Sequence, residues 1–215
     1  MAWVADADFN ELSDGDLPAQ SGGTGWSAAW VDSGNGTNYD VQGTVTYEGA
    51  KAVINSTNAN AFTTRVLSSA TTSGVVYFAA RPGNASSGQI VFTLRNAGGG
   101  RANVVFGATG NITAGGNTVL AGYSAGTWYV IRLTFDSDAG TYSAAYSTGA
   151  YGTAGTFSAD SSSATMGGSG DIDRIGIDKD ARTGSDYWDY ISPTSPFVEA
   201  SPVNPSSNLT LLGVG

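Results

Sequence analysis

Histidine and cysteine are wholly absent from this chain of 215 residues. Without histidine there is no Ser-His-Asp or Cys-His machinery, and the commonest zinc ligand is missing. Without cysteine there are no disulfides, thiolate nucleophiles or iron–sulfur clusters. Charge is scarce too: 13% of residues are charged, 18 acidic against 9 basic, for a net charge of −9. That balance argues against nucleic acid, whose binding rests on neutralised phosphates, and against anionic membrane surfaces. The longest apolar run, Val75 to Ala80, is too short to span a membrane. The opening Met-Ala-Trp-Val-Ala-Asp-Ala-Asp-Phe has no basic segment and no apolar h-region, so no secretory signal is expected.

Glutamate, lysine and leucine, the staples of helices, are few. Glycine, alanine, serine and threonine instead fill half the chain, and aromatics reach 11%. Small turn formers between aromatic and β-branched runs predict an all-β protein. Strands are expected at 42–47, 51–55, 62–67, 74–81, 88–95, 102–108, 117–121, 127–136, 140–147, 154–158, 172–178 and 186–191. Gly, Asn, Asp and Ser clusters separate them, and Asp136-Ser137-Asp138-Ala139-Gly140 reads as a hairpin turn. About a dozen short strands at this spacing imply a two-sheet antiparallel β-sandwich or jelly roll. Residues 1–192 read as one domain. Pro193, Pro196, Pro202 and Pro205 open a Pro-rich extended arm over 193–215. Its apolar end carries Leu209, Leu211, Leu212 and Val214, which are expected to dock on a partner.

Parity along three strands suggests a site. If Phe78, Phe92, Ile131, Leu133 and Phe135 face the core, then Tyr77, Arg81, Arg95 and Arg132, with Trp128, point the other way. Meeting on one sheet, these rings and guanidinium forks would suit a sugar, an acidic one especially. The plainer reading is arginine on an open sheet face, paired with Asp or packing its stem on its neighbours.

Three segments resemble the concanavalin A-like lectin/glucanase superfamily, a jelly roll of two antiparallel sheets. They are Asp8-Phe9-Asn10-Glu11 with Gly25-Trp26 and Trp30; Gly126-Thr127-Trp128-Tyr129-Val130-Ile131-Arg132-Leu133-Thr134-Phe135-Asp136; and Ile172–Ile177 with Tyr187-Trp188-Asp189-Tyr190-Ile191. The resemblance implies that fold over roughly 8–191. It also implies a structural Ca²⁺ between positions corresponding to Glu11 and Asp189, with Asp178, Asp180 and Asp186 nearby in sequence. Solvated acidic turns explain the same residues, and no cofactor is otherwise expected. The superfamily's glucanases carry Glu-x-Asp-x-Glu or Glu-x-Asp-x-x-Glu on one strand. Glu11, Glu48 and Glu199 have no such neighbourhood, so no hydrolase is expected. Asp171 and Asp173 would be the first carboxylates to test if hydrolysis were seen.

A lectin-like fold without an export signal suggests a phage virion decoration or accessory protein. Such a subunit would be assembled in the host cytoplasm, displayed on the virion surface and partnered by other virion subunits or its own copies. The alternative is a carbohydrate-binding module for host or environmental glycans, and a glucanase comes third.

Overall fold

The structure is a computed structural model that describes residues 2–32, 38–57, 60–180 and 182–198. Fifteen strands occur among the described residues. The first eight are β1 (Gly15–Asp16), β2 (Val31–Asp32), β3 (Asp40–Gln42), β4 (Ala52–Asn55), β5 (Ala61–Thr71), β6 (Ser73–Arg81), β7 (Gln89–Asn96) and β8 (Gly99–Phe106). The rest are β9 (Ile112–Ala114), β10 (Asn117–Leu120), β11 (Tyr129–Asp136), β12 (Thr141–Ser147), β13 (Ala164–Thr165), β14 (Ile172–Asp180) and β15 (Asp186–Ser192). They build an eight-stranded sheet, β1-β3-β4-β15-β6-β11-β12-β13, packed on a seven-stranded sheet, β10-β9-β8-β7-β14-β5-β2. Every pairing between these strands is antiparallel. This is the expected all-β two-sheet sandwich.

Alternation places the core as expected. Val76, Phe78 and Ala80 of β6 and Ile131, Leu133 and Phe135 of β11 are buried against Ile90, Phe92 and Leu94 of β7. The N-terminal segment closes one edge. Its Ala7 exchanges backbone hydrogen bonds with Ile191 of β15, while Trp3, Ala5, Ala7 and Phe9 turn inward.

Two expected strands are absent, each for a visible reason. The 42–47 strand stops at Gln42, whose own Oε1 accepts the N–H groups of Thr44 (2.7 Å) and Val45 (2.9 Å). That side chain takes the donors a ladder would use and turns the backbone away. Residues 154–158 form no strand, although the N–H of Ser158 donates to the Tyr146 carbonyl at 2.9 Å. They run beside β12 instead, and the Phe157 ring reaches over the outer face of the eight-stranded sheet, 5.6 Å from the Tyr77 ring.

At residue 193 the chain stays on the sandwich. The Gly152 N–H donates to the Pro196 carbonyl (2.9 Å) and the Val198 N–H to the Thr153 carbonyl (3.1 Å). Phe197 is buried against Phe157, with ring centroids 5.2 Å apart. Residues 193–198 thus contact the sandwich, and burying one phenyl ring fastens the segment down. Leu209, Leu211, Leu212 and Val214 lie outside the described residues.

Candidate functional site

Two strands set the outer face of the eight-stranded sheet. Tyr77 of β6 and Arg132 of β11 are direct cross-strand partners, and Arg81 lies four residues along β6 on the same face. Trp128 leads into β11 beside them. Arg95 is elsewhere: it sits on β7 of the seven-stranded sheet, paired with Arg174 of β14, its guanidinium over the Phe62 ring at 4.6 Å. Parity tells inward from outward, but two outward faces exist in a sandwich, so the expected five-residue cluster is corrected to four.

These four do not form one open patch. Phe157 roofs the centre, 5.6 Å from the Tyr77 ring and 5.1 Å from the Arg132 guanidinium, which also pairs with Asp160 at 3.0 Å. Toward the β15 side the face opens into a ridge of rings. Tyr151 contacts Tyr47 (6.2 Å), Tyr47 contacts Trp128 (5.7 Å), Trp128 contacts Tyr187 (6.4 Å), and Arg81 stacks over Tyr187 at 5.2 Å. Arg81 is aimed by its Nε–H, which donates to the Gly126 carbonyl at 2.9 Å. Tyr151 is 43% exposed, and Tyr47, Trp128 and Tyr187 are half-buried. Each therefore keeps part of its surface available for stacking.

A buried carboxylate supports the ridge. Asp189 Oδ2 accepts the N–H groups of Tyr47 (2.8 Å) and Glu48 (3.0 Å), and Oδ1 accepts that of Tyr190 (2.8 Å). Burial pushes the Asp189 carboxyl well above its ordinary value, and these three bonds pull it part of the way back. A β-bulge between Asp189 and Ser192 sets Tyr190 at a positive φ of 52° and tilts its ring beside Tyr151 at 5.3 Å. Burial pushes the Tyr190 phenol up to about 12 and raises Tyr47 as well, so both remain hydrogen-bond donors at neutral pH. Asp6 and Glu48 lie close enough to raise the Tyr190 and Tyr151 phenols further. Their own carboxyls are raised, first by burial; Asp8 pushes the same way, while a hydrogen bond opposes the rise in each, from Ser192 for Asp6 and from Asn10 for Glu48.

The carboxylates considered for calcium are dispersed. Asp186 is buried between Lys179 (2.9 Å) and Arg182 (3.1 Å), and Glu11 Oε2 accepts the Gly23 N–H at 2.6 Å. Asp178 faces the same side of β14 as Asp180, whose carboxylate is near Gln89 at 3.5 Å. Among the described residues no three Asp or Glu side chains are grouped to hold a metal ion. Of the other acidic pairs, Asp136 Oδ1 accepts the N–H groups of Asp138 and Ala139, and Asp173 pairs with Arg174 at 2.7 Å. Tyr47, Tyr151, Tyr187 and Tyr190 do not stand out in the sequence as binding residues. For Tyr47 and Tyr151 the signal is a large aromatic set among Gly, Ser and Thr.

No protein-family model and no curated protein matches the chain. Solved structures do. A GH131 β-glucanase catalytic domain from Podospora anserina matches with a TM-score of 0.58 at 15% identity, over 89% of this chain and 96% of that one. A sialidase matches with a TM-score of 0.52 at 12% identity, over 74% of this chain, which spans only 17% of the sialidase. Arcelin-5, a lectin-like defence protein from Phaseolus vulgaris, matches at 11% identity and a TM-score of 0.40, over 74% of this chain and 93% of that one. Such identities speak to fold alone. The chain has a two-sheet antiparallel jelly-roll fold, as its three resembling segments implied, and it is similar in fold to the β-glucanase domain.

Proposed function

We propose that the protein is a non-catalytic carbohydrate-binding module that stacks sugar rings on the ridge Tyr151–Tyr47–Trp128–Tyr187, with Arg81 at its end. The observation that carries this reading is the ridge itself: four contacting rings, half-exposed on a sheet face, with a guanidinium beside them. Apolar ring faces with a few fixed polar groups are the usual make-up of a small-molecule site. The non-catalytic part is supported by Asp189, which is buried with both oxygens occupied by backbone N–H groups. Glu48 is likewise engaged by the Asn10 amide at 2.6 Å. Likeness of fold to a β-glucanase makes β-glucans the first ligands to try. The virion reading has no comparable support, since residues 193–198 lie on their own domain.

The test is binding to a panel of neutral and acidic polysaccharides by calorimetry, with Trp128→Ala and Tyr151→Ala alongside. Each variant is expected to weaken binding about tenfold, the effect of losing an aromatic anchor. A wild type that binds nothing on the panel, or variants that bind as well as it does, would sink the proposal. Steady release of reducing ends would overturn its non-catalytic part.

A further inference from the structure

A second feature lies away from the ridge, where the 20–30 segment crosses β5. Arg65 of β5 points inward and is only 2% exposed. Its guanidinium carbon lies 4.8 Å from the Trp26 ring and 5.7 Å from the Trp30 ring, and the two indoles are 6.3 Å apart. Its Nε–H donates to the Ala28 carbonyl at 3.1 Å. Among the described residues, no acceptor takes the N–H groups of its two outer nitrogens, and no carboxylate pairs with it. Glu11 is the acidic group felt by Arg65, but its Oε2 is held by the Gly23 N–H. Burial lowers the guanidinium to about 10, leaving it charged at neutral pH.

The free side of this cation faces a surface recess of about 450 Å³, lined by Ser21, Gly22, Ser27, Ala28 and the Trp26 ring. No acidic side chain is part of that lining, although Asp8 and Glu11 line a separate, tighter space that Arg65 also borders. The turn beside it depends on glycine: a Cβ on Gly25 (φ +78°) would come 2.6 Å from the Ala5 backbone. A planar fork with unused donors, held against two indoles, matches the two oxygens of a carboxylate or phosphate. The net charge of −9 penalises each added negative charge on the ligand, which favours a monoanion. A volume of this order admits one sugar unit or a small hydroxy acid.

We infer that Arg65, packed against both Trp26 and Trp30, is the floor of a carboxylate-binding site that takes an acidic sugar unit in the recess beside Ser21, Ser27 and Ala28. Its residues are separate from the ridge, and it stands or falls independently of the function proposed above.

The test uses the full chain and sodium D-glucuronate as probe, with the tryptophan fluorescence of Trp26 and Trp30 as one readout and calorimetry as another. D-glucose and inorganic phosphate are the comparison ligands. Saturable binding of glucuronate with a Kd of order 1 mM is expected, with no response to glucose. Because Arg65→Met removes a packed side chain and would disturb folding, the decisive variant is Ala28→Glu at an exposed position. It sets a carboxylate at the mouth of the recess and leaves Arg65 in place. It should weaken glucuronate binding at least about tenfold with an unchanged unfolding temperature, and leave polysaccharide binding at the ridge as it was. Absence of glucuronate binding, an equal response to glucose, or full binding by Ala28→Glu overturns the inference. Tighter binding of phosphate than of glucuronate overturns the choice of a carboxylate.

Discussion

Phe78 of β6 and Phe92 of β7 stack across the interior with ring centroids 4.1 Å apart and planes 16° from parallel, one ring from each sheet. Trp188 lies tilted beside Phe78, with ring centroids 6.1 Å apart. This contact joins the two layers where neither ring touches solvent. Phe92→Ala leaves a cavity that both sheets would have to collapse to fill, so it should cost about 3–5 kcal/mol. Urea unfolding of the variant measures it, and a loss below about 1 kcal/mol would show that the layers close without this stack.

The charges buried at one end of the sandwich give a second prediction. Asp186 is the single carboxylate between Lys179 and Arg182, and all three side chains are fully buried. Other donors of the pair are also engaged: the lysine reaches the carbonyls of Asn55 and Gly184, and the arginine reaches the Phe106 carbonyl and the Tyr123 hydroxyl. Asp186→Asn keeps the shape but leaves two buried cations with no counter-charge, and should cost about 3–5 kcal/mol. Chemical denaturation of the variant at neutral pH checks this.

Stability should rise as the medium is made mildly acidic. Burial raises the carboxyls of Asp6, Asp40, Glu48 and Asp178 above their ordinary values of 3.8 for Asp and 4.5 for Glu. The folded chain then holds these protons more tightly than the unfolded one. Their contribution is full below the unfolded values and is lost as pH rises through the raised folded ones. With no histidine, nothing in the side chains masks that slope. The midpoint of thermal unfolding should climb between about pH 7 and about pH 5, and Glu48→Gln should flatten the climb. A midpoint that falls over this range would contradict the assignment.

Two truncations, one on each side of Phe197, isolate the contribution of its ring. Removing residues after Ser192 takes away Phe197, which fills the space over Gly149 and Gly155. A side chain on Gly155 would come 2.6 Å from that ring, so the fit is close. The loss should be about 1.5–3 kcal/mol, the burial of one phenyl group. Truncation after Val198 should leave the unfolding temperature unchanged if only this contact matters.

Much of the sandwich was legible because its strands alternate cleanly. Val76-Tyr77-Phe78 and Ile131-Arg132-Leu133 each announce an inner and an outer face, and the structure agrees. What alternation cannot give is the sheet to which a strand belongs. Arg95 and Arg132 share a parity, yet β7 and β11 lie in opposite layers because the chain crosses between sheets after β6. The ridge was illegible for a different reason. Tyr47 and Tyr151 come from loops, and they are brought together by Asp189 holding the 47–48 backbone and by the bulge at Tyr190. Both are long-range or irregular features with no period to read.

The strip 149–155 is gripped from two sides. The Tyr47 hydroxyl donates to the Gly149 carbonyl at 3.0 Å, and Phe197 packs on Gly149 and Gly155 from the other side. Ridge and tail thus share one mechanical support. A pull applied beyond Val198 would first peel Phe197 and the bonds at Gly152 and Thr153, since 193–198 is paired into no sheet. The strands would still be intact, yet Tyr151 would have lost its footing before any other ring of the ridge. Load on that end would therefore loosen the ridge well before the sheets came apart.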